Sequence, residues 1–195
     1  MANRDNHYEA AFEEFLRSRR VPYVAVDEAR RSLVESSSLK SLDFIVSSRS
    51  GPSSSAHGWL VDVKGRRFPS GEQKQYWKNW STRDDLVSLG CWEKLFGDRF
   101  HGLFVFAYDV LGDRSPLPAE QLFAYRGGLY GFVAIRLAQY VAHARQISPK
   151  WDTVAMPVER FRQLAEPIET LLCGGNVAPV QQAVHANSEV VPESI

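Results

Sequence analysis

The sequence predicts an α/β domain built on a mixed central sheet. Three observations carry that reading: an opening segment with helical apolar spacing, two apolar strand-like runs joined by a Gly/Pro/Ser-rich turn, and a second amphipathic segment leading into a continuous apolar run. The predicted order is helix, three strands, helix, strand, followed by a C-terminal α+β extension. With 195 residues, 44% of them hydrophobic, the chain can bury one well-packed core. The expected division is a single domain over residues 1–173, its core at about 6–108 and its extension at about 109–173. Residues 174–195 lack periodicity and read as a flexible tail.

Residues 6–20 read as a helix because Tyr8, Ala11, Phe12, Phe15 and Leu16 recur at helical spacing, with Asp5 or Asn6 placed to cap it. Residues 21–27 form the expected first strand, opened by Pro22, and residues 29–34 a short helix or ordered loop. The second and third strands are residues 39–47 and 58–64, with their turn at 47–55. An irregular stretch, 65–81, precedes a helix that starts at Thr82 and stops at Gly97. That helix carries Asp84 and Asp85 in its first turn and an apolar stripe of Leu86, Leu89, Trp92, Leu95 and Phe96. Residues 103–108 are a buried strand, and 121–126 with 129–135 a hairpin around Gly127 and Gly128. Helices at 137–145 and 158–172 flank a short strand at 153–156.

Lys+Arg and Asp+Glu both number 23, so any nucleic-acid affinity must come from a local patch rather than from net charge. The two cysteines, Cys91 and Cys173, form no CxxC, which argues against a disulfide framework or a cysteine zinc site. No apolar leader or membrane-length run is present, and the expected location is the cytoplasm.

The chemistry concentrates on the second and third strands. Alternation puts Asp62 and Lys64 on one face and Trp59, Val61 and Val63 on the other. A hairpin register pairing Ser47 with Gly58 also sets Asp43 opposite Asp62. Two carboxylates side by side, with a lysine one strand step away, suit a divalent metal and phosphodiester chemistry. The alternative is a structural ion-pair cluster, but three buried charges are costly and their net negative charge favours a cation.

This order, with an acid in the second strand and Asp-x-Lys nineteen residues later, resembles the PD-(D/E)XK nuclease superfamily, whose fold is called restriction-endonuclease-like. More narrowly, His7-Tyr8-Glu9-Ala10-Ala11-Phe12-Glu13 resembles the name-giving motif of the HYExAFE family of bacterial proteins. Lys40-Ser41-Leu42-Asp43-Phe44, Asp62-Val63-Lys64-Gly65-Arg66, Trp92-Glu93-Lys94-Leu95-Phe96-Gly97 and Ser148-Pro149-Lys150-Trp151 are similar to further segments of it. The resemblance implies a phosphodiesterase dependent on Mg²⁺ (or Mn²⁺). Asp43 and Asp62 would hold the metal with the Val63 carbonyl and water, and Lys64 would orient or help deprotonate the attacking water. A first-helix glutamate would complete the site. Glu9 and Glu13 are both candidates, and Glu9 is favoured.

Lys64, Arg66, Arg67, Lys74 and Lys78 surround Phe68, Tyr76, Trp77 and Trp80. Arg66, Arg67, Lys74 and Lys78 are therefore candidate phosphate contacts; the alternative is a solvated loop with its aromatics in the core. Trp59 and Trp92 are expected in the core, Asn79 is expected to cap or brace the loop, and His7 to hydrogen-bond near the helix start. The segment Arg126-Gly127-Gly128-Leu129-Tyr130-Gly131 lacks P-loop spacing and reads as a hairpin turn. The expected activity is hydrolysis of DNA, or else of RNA or branched DNA, with a homodimer as one plausible state. The alternatives are a non-catalytic nucleic-acid-binding or scaffold module and an enzyme dormant without a partner.

Overall fold

The computed structural model describes residues 6–26, 32–34, 37–47 and 57–173. The predicted tail and most of the predicted 47–55 turn lie outside the described residues. The chain begins with α1 (His7–Ser18), capped by the Asn6 side chain, which accepts from the Tyr8 N–H at 3.1 Å. It continues through β1 (Tyr23–Ala25), β2 (Ser32–Val34), β3 (Ser37–Leu39), β4 (Phe44–Ser47), β5 (Gly58–Phe68), β6 (Ser81–Thr82) and α2 (Arg83–Phe96). Next come β7 (Phe100–Val110), β8 (Phe123–Tyr125), β9 (Gly128–Arg136), α3 (Leu137–His143), β10 (Arg145–Ser148) and β11 (Thr153–Ala155). The last elements are α4 (Val158–Leu164), β12 (Glu166–Pro167) and α5 (Ile168–Cys173).

The main sheet has the order β1-β4-β5-β7-β9-β12, with β8 also paired to β9. It is mixed: β5 and β7 run parallel, joined by the α2 crossover, while the other pairs are antiparallel. This is the predicted restriction-endonuclease-like order, helix, three main-sheet strands, helix, strand, and β9 continues the same sheet beyond β7. One sheet face packs Phe44, Val61, Val63, Leu103, Val105 and Phe132 against Phe12, Phe15 and Leu16 of α1 and Leu172 of α5. The other packs Leu60, Phe104, Phe106 and Ile135 against Leu89, Leu137, Tyr140 and Phe161 from α2, α3 and α4. Both faces are thus covered, as expected for a sheet with a parallel crossover at its centre.

Several elements depart from expectation for local reasons. The predicted strand at 39–47 is broken, because residues 40–42 leave the sheet to join α2. Lys40 N–H donates to Ser88 Oγ at 3.2 Å, Trp92 Nε1 donates to the Lys40 carbonyl at 2.8 Å, and Leu42 enters the core beneath α2. Where a short helix or loop was expected, residues 32–34 form a strand paired with 37–39. β5 runs on to Phe68 because β7 pairs with it along its full length, from Gly58 with Phe100 to Phe68 with Val110. The predicted helix at 158–172 is two helices, separated by a strand pair at Glu166 and Pro167; a proline in mid-helix removes a hydrogen bond and disfavours helical geometry before it. On α2, Leu95 and Phe96 are exposed rather than part of the buried stripe. The hairpin at Gly127 turns on Arg126 and Gly127, both with positive φ (46° and 78°), the geometry of a two-residue turn between twisted strands.

Candidate active-site cleft

β4 pairs with β5 in the predicted register, Ser47 with Gly58 through Phe44 with Val61. One step further that register sets Asp43 against Asp62. Asp43 is the residue just before β4 begins, and its carboxylate replaces the missing ladder partner: Asp43 Oδ2 accepts from the Val63 N–H at 2.6 Å. A residue's N–H and C=O leave a strand on the same side, so the Val63 carbonyl faces the edge that β4 vacates. The first turn of α1 covers that edge. The Tyr8 ring lies so close to Gly65 that a Cβ there would sit 2.1 Å from it, and a glycine is needed for α1 to approach.

A cleft of about 380 Å³ opens at this junction. Its walls are Asn6 and Glu9 from the start of α1, Lys40, Ser41 and Asp43 from the β3–β4 connection, Asp62, Val63 and Lys64 from β5, and Asp85 from α2. Asp43 and Glu9 are buried, and the Asn6 side-chain amide donates to Glu9. Lys64 Nζ lies between Asp62 Oδ1 at 2.8 Å and Asp85 Oδ2 at 3.1 Å.

Burial pushes the Asp43 carboxyl well above the ordinary carboxylate range, and the neighbouring Asp62 and Glu9 charges push it further. Asp62 is also raised, chiefly by burial, although Lys64 opposes the shift. Burial works against a charged Lys64, but Asp62 and Asp85 outweigh it and hold the ammonium form. Asp85 is driven far below its ordinary value: burial opposes this, yet Lys64, Lys40 and the Thr82 N–H prevail.

The structure therefore gathers Glu9, Asp43, Asp62 and Lys64 in one cleft. Glu13 is elsewhere, accepting from the Tyr23 hydroxyl at 2.9 Å and pairing with Arg17. Of the basic candidates, Arg66 continues the Asp62–Lys64 face, its guanidinium 3.9 Å from the centre of the Trp80 ring and donating to the Trp80 carbonyl. Arg67 points the opposite way and is exposed, as is Lys74; the half-buried Lys78 offers its carbonyl to the Tyr108 hydroxyl at 3.1 Å. None of these four lines the cleft. Trp77 packs against Phe68, Tyr108 and Phe161, so that part of the aromatic loop is core. Trp59 is buried, and Trp92 is only partly so. Asn79 braces the loop, its side chain accepting from the Met156 N–H (2.9 Å) and donating to the Met156 carbonyl (3.2 Å). His7 Nδ1 lies 2.7 Å from the Tyr130 hydroxyl.

Sequence reasoning missed Asp85 and Lys40 as cleft residues. Asp85 was visible only as a first-turn acid; the Thr82-x-x-Asp85 spacing of a capping box, formed here in both directions, was the available signal for a fixed carboxylate.

Among the described residues, no three His, Cys, Asp or Glu side chains converge as a group able to hold a metal ion. Mg²⁺, however, typically takes only one or two carboxylates and completes its shell with water and substrate phosphate. The opposed Asp43 and Asp62 carboxylates, their proton affinity raised by burial and, at Asp43, further by the neighbouring Asp62 and Glu9 charges, fit that requirement.

No protein-family model matches the chain, and no curated protein is similar to it. Among solved structures, it is similar to Hjc, a Holliday junction resolvase from the archaeal hyperthermophile Archaeoglobus fulgidus. The identity is 12% over 83% of this chain and 94% of that one, with a TM-score of 0.44. The fold class rests on the element order and sheet pairing described above. Among the described residues, no helix is long and apolar enough to cross a membrane.

Proposed function

We propose that this chain is a metal-dependent nuclease of the PD-(D/E)XK type that hydrolyses phosphodiester bonds in nucleic acid, DNA in the first place. The observation that carries the reading is the β4–β5 register, which sets Asp43 against Asp62 while Lys64 Nζ lies 2.8 Å from Asp62 in an open cleft. Asp43 and Asp62 would hold Mg²⁺ or Mn²⁺, with the Val63 carbonyl and Glu9 at the same cleft. When bound, such a cation acidifies a water and neutralises charge on phosphate oxygens.

The remaining work falls to the protein's own groups. Lys64, held as the ammonium, donates hydrogen bonds and positive charge where the phosphate gains negative charge, which favours a stabilising and orienting role over that of a base. Asn6 fixes the Glu9 carboxylate, and the Val63 N–H fixes Asp43, so both are set before substrate arrives.

The test is cleavage of supercoiled plasmid and of a four-way DNA junction by the full chain with Mg²⁺ or Mn²⁺. Strand scission is expected from the wild type and not from folded Asp62→Ala or Lys64→Ala. Equal scission by all three overturns the reading.

A further inference from the structure

Asp85 is more thoroughly engaged than a helix cap requires. Its Oδ2 accepts from the Thr82 N–H (2.9 Å) and the Ser81 hydroxyl (2.9 Å), and its N–H donates back to Thr82 Oγ1 (3.1 Å). Those contacts cap α2 and fix the carboxylate plane. Both of its oxygens then take a lysine as well: Oδ2 takes Lys64 Nζ at 3.1 Å and Oδ1 takes Lys40 Nζ at 2.9 Å. The lysines come from different segments, yet both line the cleft with Asp85.

Their backbones are fixed independently of their charges. Lys64 belongs to a strand paired with β7, and the Lys40 backbone is pinned at both polar groups to α2. They differ in depth: the Lys64 side chain is 17% exposed and that of Lys40 42% exposed. One carboxylate thus holds an inner and a rim ammonium on the same wall. Asp84 Oδ2, 3.4 Å from Lys40 Nζ, completes the rim.

We propose that Asp85 is a positioning residue that holds Lys64 and Lys40 as a two-point cationic clamp on one phosphodiester group of the nucleic-acid strand. Each ammonium offers donors to a different non-bridging oxygen. Asp85 also gives Lys64 an anionic partner other than Asp62, so Lys64 keeps its place when Asp62 is otherwise engaged. This deepens the nuclease reading and rests on it for the identity of the strand, but not for the arrangement of the lysines.

The experiment compares Asp85→Asn, Lys40→Ala and Thr82→Ala in the full chain. Thr82→Ala removes the side-chain half of the cap and a long Lys40 contact (Nζ to Thr82 Oγ1, 3.4 Å), and leaves the carboxylate with both lysines. Binding of a fluorescent DNA oligonucleotide is first measured in EDTA across a salt series. Lys40→Ala is expected to lower the slope of log affinity against log salt by about 1, the loss of one phosphate contact. Amine modification read by mass spectrometry is then expected to show both lysines protected by the oligonucleotide in wild type and Thr82→Ala, but not in Asp85→Asn at equal occupancy. In the cleavage assay, Asp85→Asn should lose roughly 100-fold in kcat with KM little changed, as for a misplaced catalytic group. Thr82→Ala should keep its kcat.

Tighter binding by Asp85→Asn with both lysines still protected would show a simple repulsive charge and overturn the proposal. An unchanged salt slope in Lys40→Ala would overturn it too, even if Asp85→Asn fails to fold. If the wild type binds DNA and cuts nothing, the nuclease reading fails while salt slope and lysine protection still decide the clamp.

Discussion

The Val63 N–H donates to Asp43 Oδ2 at 2.6 Å just before β4 begins. The bond does for β5 what a further strand residue would do, but it delivers a carboxylate into a crowded, buried site. Asp43 has its proton affinity raised by burial, Asp62 and Glu9. A carboxyl with a raised folded pKa costs stability at every pH above its unfolded value, and the cost fades as pH falls through the folded value.

Asp43→Asn should therefore stabilise the apo protein at neutral pH, since the amide oxygen still accepts from Val63. A rise in melting temperature of about 2–4 °C corresponds to roughly 1 kcal/mol in a chain of this size. The difference from wild type should shrink toward pH 4, and thermal melts at several pH values measure it. Mn²⁺ should raise the wild-type melting temperature and leave that of Asp43→Asn nearly unmoved.

The sequence made much of this site legible. Strand alternation and one hairpin register were enough to bring Asp43 and Asp62 together, because a period of two leaves little freedom once one face is apolar. The choice between Glu9 and Glu13 was not legible from spacing alone: they are four residues apart on one helix face, and which one reaches the cleft depends on how α1 crosses the sheet. Gly65 decides that crossing by admitting Tyr8. Asp85 and Lys40 were hidden for another reason. They meet only because residues 40–42 leave the strand for α2, a tertiary preference that overrides an apolar run. The split of α4 from α5 was visible in Pro167 and outweighed by the apolar spacing around it.

Gly65→Ala should move α1. Its Cβ would lie 2.1 Å from the Tyr8 ring, and a forced shift of this kind costs about 1–3 kcal/mol. Because Glu9 follows Tyr8, the same shift draws Glu9 from the cleft. Adding Tyr8→Ala should recover part of the lost stability, giving a coupling beyond additivity in a double-mutant cycle followed by urea unfolding.

Lys64→Ala should lose both stability and activity. Asp62 and Asp85 would keep their burial and lose their shared cation, and breaking a buried pair in this way costs about 3–5 kcal/mol. Cleavage should fall by about 10²–10³-fold, the usual loss for a preorganised electrostatic donor. Circular dichroism and single-turnover cleavage, measured on samples shown to be folded, separate the two effects.

Asp85 should govern tolerance to acid in the direction opposite to Asp43. Burial raises its proton affinity, but Lys64, Lys40 and the Thr82 N–H bring it far below the ordinary value of 3.8. A depressed folded pKa contributes stability that is complete above the unfolded value and lost as pH falls through the folded one. The wild type should thus keep the Asp85 contribution through mild acid and lose it only well below pH 3.8. Asp85→Asn lacks that contribution throughout, so its deficit in urea midpoint should be constant from neutral pH to about pH 4 and narrow below it. A deficit that widens as pH falls from 7 toward 4 would mean that the Asp85 carboxyl is raised rather than depressed in the folded protein, and that the two lysines do not hold it.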